Sequence, residues 1–153
     1  ATFKTDSLRR LAAHPRIVAV KDAKADLYAG SQVMSSTDLA FYSGDDALNL
    51  PWLAVGAVGI VSVVAHVAAR QYADLVAAVQ AGDLATARRL HAQLIPAVNA
   101  IMSKRSQGAI MAKAALQLLG KLPTRTMRGP LIDATDDQVS ELRGALTDAG
   151  LAP

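Results

Sequence analysis

Three short apolar runs punctuate the first part of the chain: residues 17–21 (Ile-Val-Ala-Val-Lys), 39–43 (Leu-Ala-Phe-Tyr-Ser) and 60–64 (Ile-Val-Ser-Val-Val). Runs this short, rich in β-branched residues and bounded by turn formers, read as strands. The stretches between them have helical composition and are long enough for a crossover helix. Strands that alternate with helices build βαβ units, and such crossovers make neighbouring strands parallel. The predicted class is therefore α/β with a parallel sheet.

The helices are expected at 8–13, 26–34 and 47–55 among the strands. Thr5-Asp6-Ser7 is expected to cap the first, and His14-Pro15 to stop it. After residue 64 the pattern is wholly helical, with helices at 67–81, 83–102, 108–119 and 136–149. Gly82, Gly120 and Gly150 close three of them. Residues 122–132 carry Pro123 and Pro130 and read as extended coil. Three parallel strands cannot close a barrel, and the chain opens with a helix that lacks a preceding strand. The layout is expected to be part of something larger, with residues 1–66 carrying the sheet and 67–153 a helical region.

Lys21 is the residue with the most chemical consequence. It ends a run that reads as a strand buried on both faces, where an unpaired ammonium is costly. Alternation puts Ile17, Ala19 and Lys21 on one face, and Val18, Val20 and Asp22 on the other. A lysine at the C-terminal end of a parallel strand sits where barrel enzymes keep their chemistry. Desolvation favours the neutral amine that Schiff-base catalysis requires. The competing reading is a strand-end lysine that reaches solvent or pairs with Asp22.

Composition excludes several classes. There is no cysteine, so disulfides, thiolate metal sites and cysteine nucleophiles are ruled out. Three scattered histidines do not suggest a metal cluster, and neither a metal nor another cofactor is expected. Between Ile101 and Arg128 stand six basic residues and no acid, followed by an acidic C-terminal stretch. No aromatics interleave for base stacking, so this reads as a solvated helical face and not as a nucleic-acid surface. Residues 47–69 carry no charge and are long enough to span a bilayer. Pro51, Gly56, Gly59, Ser62 and His66 interrupt them, which argues for helix, turn and strand instead. Residues 1–10 are polar and charged, unlike a signal peptide, and a cytoplasmic location is expected.

Four other features have modest expected roles. Asp45 and Asp46 resemble a carboxylate pair for acid–base work but are read as caps of the following helix. His66 is expected at a helix N-terminus. The Gly56–Gly59 turn precedes a strand, the wrong order for a phosphate loop. Trp52 is read as packing or subunit contact.

Taken in order, Ile17-Val18-Ala19-Val20-Lys21-Asp22-Ala23-Lys24, Tyr42-Ser43-Gly44-Asp45-Asp46-Ala47 and Gly59-Ile60-Val61-Ser62-Val63 resemble the last three strands of a (β/α)8 barrel. The barrel is that of the pyruvate-dependent class I aldolases, the family of dihydrodipicolinate synthase and N-acetylneuraminate lyase. The Ser-Gly-Asp-Asp block is closer to the synthase branch. The resemblance implies that residues 1–66 are the C-terminal portion of the TIM barrel. Residues 67–153 would then be its last helix and a C-terminal helical extension. It implies that Lys21 forms a Schiff base with pyruvate, and that Gly44 and Val61 line the substrate pocket. It further implies aspartate semialdehyde as second substrate, lysine and diaminopimelate biosynthesis as the setting, and a homo-oligomer. The family's carboxylate-binding loop, proton-relay tyrosine and substrate arginine belong to the first half of the barrel, which is absent here. A chain of this extent is therefore expected to be inactive without that half. General acid–base assistance alone is commonly worth roughly 10²–10⁴ in rate. Two alternatives stand beside this: another pyruvate-dependent aldolase of the same family, or a non-catalytic half-barrel that serves as an interaction module.

Overall fold

Each of the three apolar runs contributes to a strand, the third through Ile60 alone, and all three strands pair in parallel. The computed structural model describes residues 3–151. Strands β1 (Ala19–Asp22), β2 (Ala40–Ser43) and β3 (Gly59–Ile60) lie in the order β1-β2-β3. Lys21 is in register with Tyr42, and Tyr42 with Gly59; Asp22 is in register with Ser43, and Ser43 with Ile60. The helices between are α1 (Thr5–Ala12), α2 (Leu27–Met34) and α3 (Asn49–Ala54), the last entered through a 3₁₀ turn at Asp46–Leu48.

The chain divides into two compact units, Ala1–Ser62 and Val63–Pro153. In the first, one face of the sheet is sealed by helices. Phe41 points to that face, and its ring stacks on Trp52 at 6.1 Å between centroids. Leu8, Val33, Leu39 and Ala57 complete the buried cluster. Such an aromatic pair adds about 0.5–1.5 kcal/mol beyond its area burial. Gly30 makes the packing possible, because a Cβ there would lie 2.2 Å from Trp52 Cη2. Trp52 is thus a core residue of this unit, fully buried.

The second unit is helical: α4 (Ala65–Gln80), α5 (Leu84–Ile101), α6 (Gly108–Leu118) and α7 (Asp136–Asp148). Helix α5 packs against the other three through the stripe Ala87, Leu90, Leu94, Ala97 and Ile101. That stripe recurs at helical period and is buried throughout. Asp83 caps α5 by accepting the Thr86 N–H, and Thr135 caps α7 in a capping box with Gln138. The basic stretch is used within this unit. Arg125 donates to the Ala134 carbonyl, Lys113 to the Thr126 carbonyl, and Arg105 pairs with Glu141 at 3.1 Å. Among the described residues no helix is long and apolar enough to cross a membrane.

The structure corrects four expectations. Helix α1 begins at Thr5, and no side chain caps it. The third strand is Gly59–Ile60, not 60–64. Strand β2 ends at Ser43, so the last ladder bond runs from Val61 N–H to the Ser43 carbonyl, at 2.7 Å, and the chain then turns away. Strand β1 is not buried on both faces: Ala19 and Lys21 are exposed. Helices cover only the opposite face of this unit. Of the two aspartates, Asp45 caps as expected, accepting the Ala47 N–H at 3.0 Å, whereas Asp46 is drawn into the interior.

Candidate functional site

The C-terminal ends of the three strands carry the residues singled out from sequence. Lys21 stands one residue from the end of β1, on the uncovered face. Paired residues of a parallel ladder share a face, so Tyr42 and Gly59 lie beside it across the sheet. Tyr42 lies over Gly59: a Cβ on that glycine would be 3.0 Å from Tyr42 Cε1. Alternation carries Val61 to the same face, just beyond β3, where its side chain is 46% exposed.

Gly44 is the closest structural partner of Lys21. The lysine's aliphatic stem crosses directly above it. A Cβ at position 44 would lie 2.6 Å from Lys21 Cε, 2.9 Å from its Cγ and 3.1 Å from Ala23 Cβ. The Gly44 N–H donates to the Asp22 carbonyl at 2.8 Å, extending the β1–β2 ladder by one bond past the strands. The missing side chain therefore creates the space in which the amine's stem rests. The structure brings Lys21 and Gly44 into this contact; Val61 reaches the same end of the sheet through its bond to Ser43.

Two buried carboxylates frame these strand ends. Asp22 is 2% exposed. Its carboxylate accepts the Lys24 N–H at 2.8 Å and pairs with Lys24 Nζ at 3.1 Å. Asp22 thus pairs with Lys24 and not with Lys21, and Lys21 is left free of that ion pair. The turn that follows places Ala25 at φ +62°, an uncommon conformation for a residue with a side chain. Asp46, 3% exposed, accepts from the Ser62 hydroxyl and from Asn49 Nδ2 at 3.3 Å.

A pocket of about 230 Å³ opens along the edge of β1, lined by Lys21, Asp22, Ala23, Lys24, Val20, Leu8 and Phe3. His66 lies in the first turn of α4, exposed, its Nδ1 2.9 Å from the Val63 carbonyl. Among the described residues no three histidine, aspartate or glutamate side chains gather as a metal site would require.

Tyr42 is the site-face residue that sequence reasoning passed over. Its place in the register with Lys21 follows from counting both strands back from their turns. The β-branched and aromatic pattern alone does not distinguish it from Phe41, which faces the core.

A parallel sheet with helices on one side, a lysine at a strand's C-terminal end and a glycine beneath it define a partial βα barrel with a candidate nucleophilic amine. Comparison with known proteins agrees. The profile of the dihydrodipicolinate synthetase family matches residues 1–149, and the chain belongs to that family. The 4-hydroxy-tetrahydrodipicolinate synthase of Kineococcus radiotolerans is 58% identical over 151 residues, covering 99% of this chain and 49% of the relative. A dihydrodipicolinate synthase from Cyanidioschyzon merolae, solved with lysine bound, superposes with a TM-score of 0.90 at 35% identity, covering 99% of this chain and 51% of that one. The enzyme from Acinetobacter baumannii, chloride-inhibited and complexed with pyruvate, gives 0.89 at 31% identity, covering 97% and 50%. The chain spans about half the length of the curated relatives it matches. Its architecture is that of a (β/α)8 barrel's C-terminal part, three βα units followed by a helical extension.

Proposed function

We propose that this chain supplies the Schiff-base half of a dihydrodipicolinate synthase. In this reading it condenses pyruvate with aspartate semialdehyde in lysine and diaminopimelate biosynthesis. The observation that carries it is Lys21 laid across Gly44 at the C-terminal end of a parallel strand. The Lys21 amine attacks the keto carbon of pyruvate, and the carbonyl oxygen leaves as water. The protonated imine withdraws electrons from the adjacent methyl group, which loses a proton to give an enamine. The enamine carbon attacks the aldehyde, and the amine of the product then displaces Lys21 with ring closure. Gly44 gives the stem of the amine its place, and Val61 borders the keto acid from just beyond β3. The relatives named 4-hydroxy-tetrahydrodipicolinate synthase, 58% and 47% identical, support this reading over other aldolases of the family.

The uncovered face calls for a partner. Residues 1–66 would form the last part of the barrel, and residues 67–153 its final helix and extension. Strands β1 and β3 are both sheet edges, and Ala19, Lys21 and Val61 are exposed. A first half-barrel would pair these edges and remove water from the amine. It would also bring the proton relay and carboxylate contacts that the resemblance assigns to that half. We place the assembled enzyme in the cytoplasm as a homo-oligomer.

The test is to co-express the chain with the first half of the Kineococcus barrel and assay condensation of pyruvate with aspartate semialdehyde. Activity is expected from the pair and not from this chain alone, and Lys21→Ala is expected to abolish it. Equal activity from the Lys21→Ala pair would refute the assignment.

A further inference from the structure

Asp46 follows directly on the Gly44-Asp45 turn, and Ser62 follows Val61. Their side chains meet: the Ser62 hydroxyl donates to Asp46 Oδ1 in the interior of the unit. Asn49, itself buried, donates its amide to the same oxygen at 3.3 Å, and its own Oδ1 has no partner among the described residues. The amide is committed to the carboxylate at the expense of its other polar atom. One further bond ties the same segments, from Val61 N–H to the Ser43 carbonyl at 2.7 Å, while the Ser43 hydroxyl braces the β2 exit itself by donating to the Asp45 carbonyl at 3.1 Å. The exits of β2 and β3 are thus joined by one charged hydrogen bond, Ser62 to Asp46, and one neutral one, Val61 to Ser43. The two strands share only two register pairs, so little ladder exists beyond these bonds to hold the exits together.

We infer that Asp46 is a positioning residue of the Lys21 site. Its carboxylate clamps Ser62, and through the two short connections it fixes Gly44 and Val61 relative to one another. This rests on the reading of Lys21, Gly44 and Val61 given above. A helix cap does not require a buried carboxylate, and Asp45 already caps the following turn. A buried charge is retained at a cost unless its hydrogen bonds do something specific. Here the bond from Ser62 links the exits of β2 and β3, beside both residues proposed to border the substrate.

The test uses the co-expressed pair with the variants Ser62→Ala, Ser62→Thr and Asp46→Asn. Pyruvate is titrated in the presence of cyanoborohydride, and the adduct is measured by intact mass. Hydrogen exchange at the Val61 amide is followed in parallel without pyruvate. Ser62→Ala is expected to raise the pyruvate concentration for half-maximal trapping about tenfold, the scale of one hydrogen bond to a charged group. The plateau of adduct should be unchanged. Ser62→Thr, which keeps the hydroxyl, should restore the wild-type value. Exchange at Val61 should quicken in Ser62→Ala and not in Ser62→Thr. Unchanged half-saturation in a folded Ser62→Ala variant overturns the inference, as does loss of plateau and half-saturation together in proportion to lost fold. If Asp46→Asn does not fold, Ser62→Ala alone decides. Absence of any adduct in the unsubstituted pair overturns the Lys21 reading, and the positioning role with it. The exchange data would then separate that failure from failure of the clamp.

Discussion

Replacing Gly44 by alanine separates the site from the fold more cleanly than any other single change. Gly44 does not adopt a left-handed backbone, so alanine meets no conformational penalty there. The effect is steric and local. The new Cβ would stand 2.6 Å from Lys21 Cε, where carbon atoms are at ease at about 3.5–4.0 Å. The lysine stem must retreat by about 1 Å, and it can, because it is flexible and its face is uncovered. The stability cost is then expected to stay below about 1.5 kcal/mol, near the small end of overpacking costs. The chemical cost is larger. A misplacement of about 1 Å can cost roughly 10² in rate when a nucleophile must be aligned. In the co-expressed pair, Gly44→Ala should slow pyruvate trapping at Lys21 by about one to two orders of magnitude. Its thermal midpoint should move by only a few degrees, about 2–6 °C for a cost of this size. Trapping at the wild-type rate would refute the idea that Gly44 makes room for the amine. Loss of cooperative unfolding would show instead that Gly44 is a folding residue.

Three further outcomes are expected. Gly30→Ala places a Cβ 2.2 Å from the buried Trp52 ring, which has no solvent to move into; chemical denaturation should show a loss of about 1–3 kcal/mol, larger than that of Gly44→Ala. Asp22→Ala leaves Lys24 beside an empty buried position and frees the turn through Ala25; the expected loss is about 1–3 kcal/mol in denaturant, discounted because Lys24 is partly solvated. The Asp83 carboxyl is held below its ordinary value, chiefly by the hydrogen bond from the Thr86 N–H. A depressed carboxyl stabilises the fold above its unfolded value, near pH 4, and loses that contribution as pH falls through the folded value. Acid unfolding of Asp83→Asn should therefore show less pH dependence below about pH 4 than the parent, with the helix cap retained.

Much of this was legible from sequence for identifiable reasons. The β-branched runs mark the strands, and the glycines that end three of the long helices, with the apolar stripe of α5, mark the helices, because period and turn chemistry are local properties. Lys21 and Gly44 were legible as a pair of motif residues. Their contact was not, since it depends on β1 and β2 being in register. The exposure of Lys21 was misread because an apolar, β-branched run looks the same whether one or both of its faces are covered. Residues 61–64 were read as strand on composition, but a strand needs a neighbour, and β2 stops at Ser43. Asp45 and Asp46 looked equivalent as adjacent caps. Only the return of the chain at Ser62 distinguishes them, by offering a hydroxyl to one and not the other.

The central claim is that Lys21 is the amine that takes up pyruvate. Peptide mapping after treatment with pyruvate and cyanoborohydride tests it directly, with the chain paired to a first half-barrel. The account predicts one reduced pyruvyl group, on Lys21, absent in Lys21→Arg and undiminished in Lys24→Arg. Modification of Lys24 or of lysines at random, with Lys21 unmodified, would contradict it.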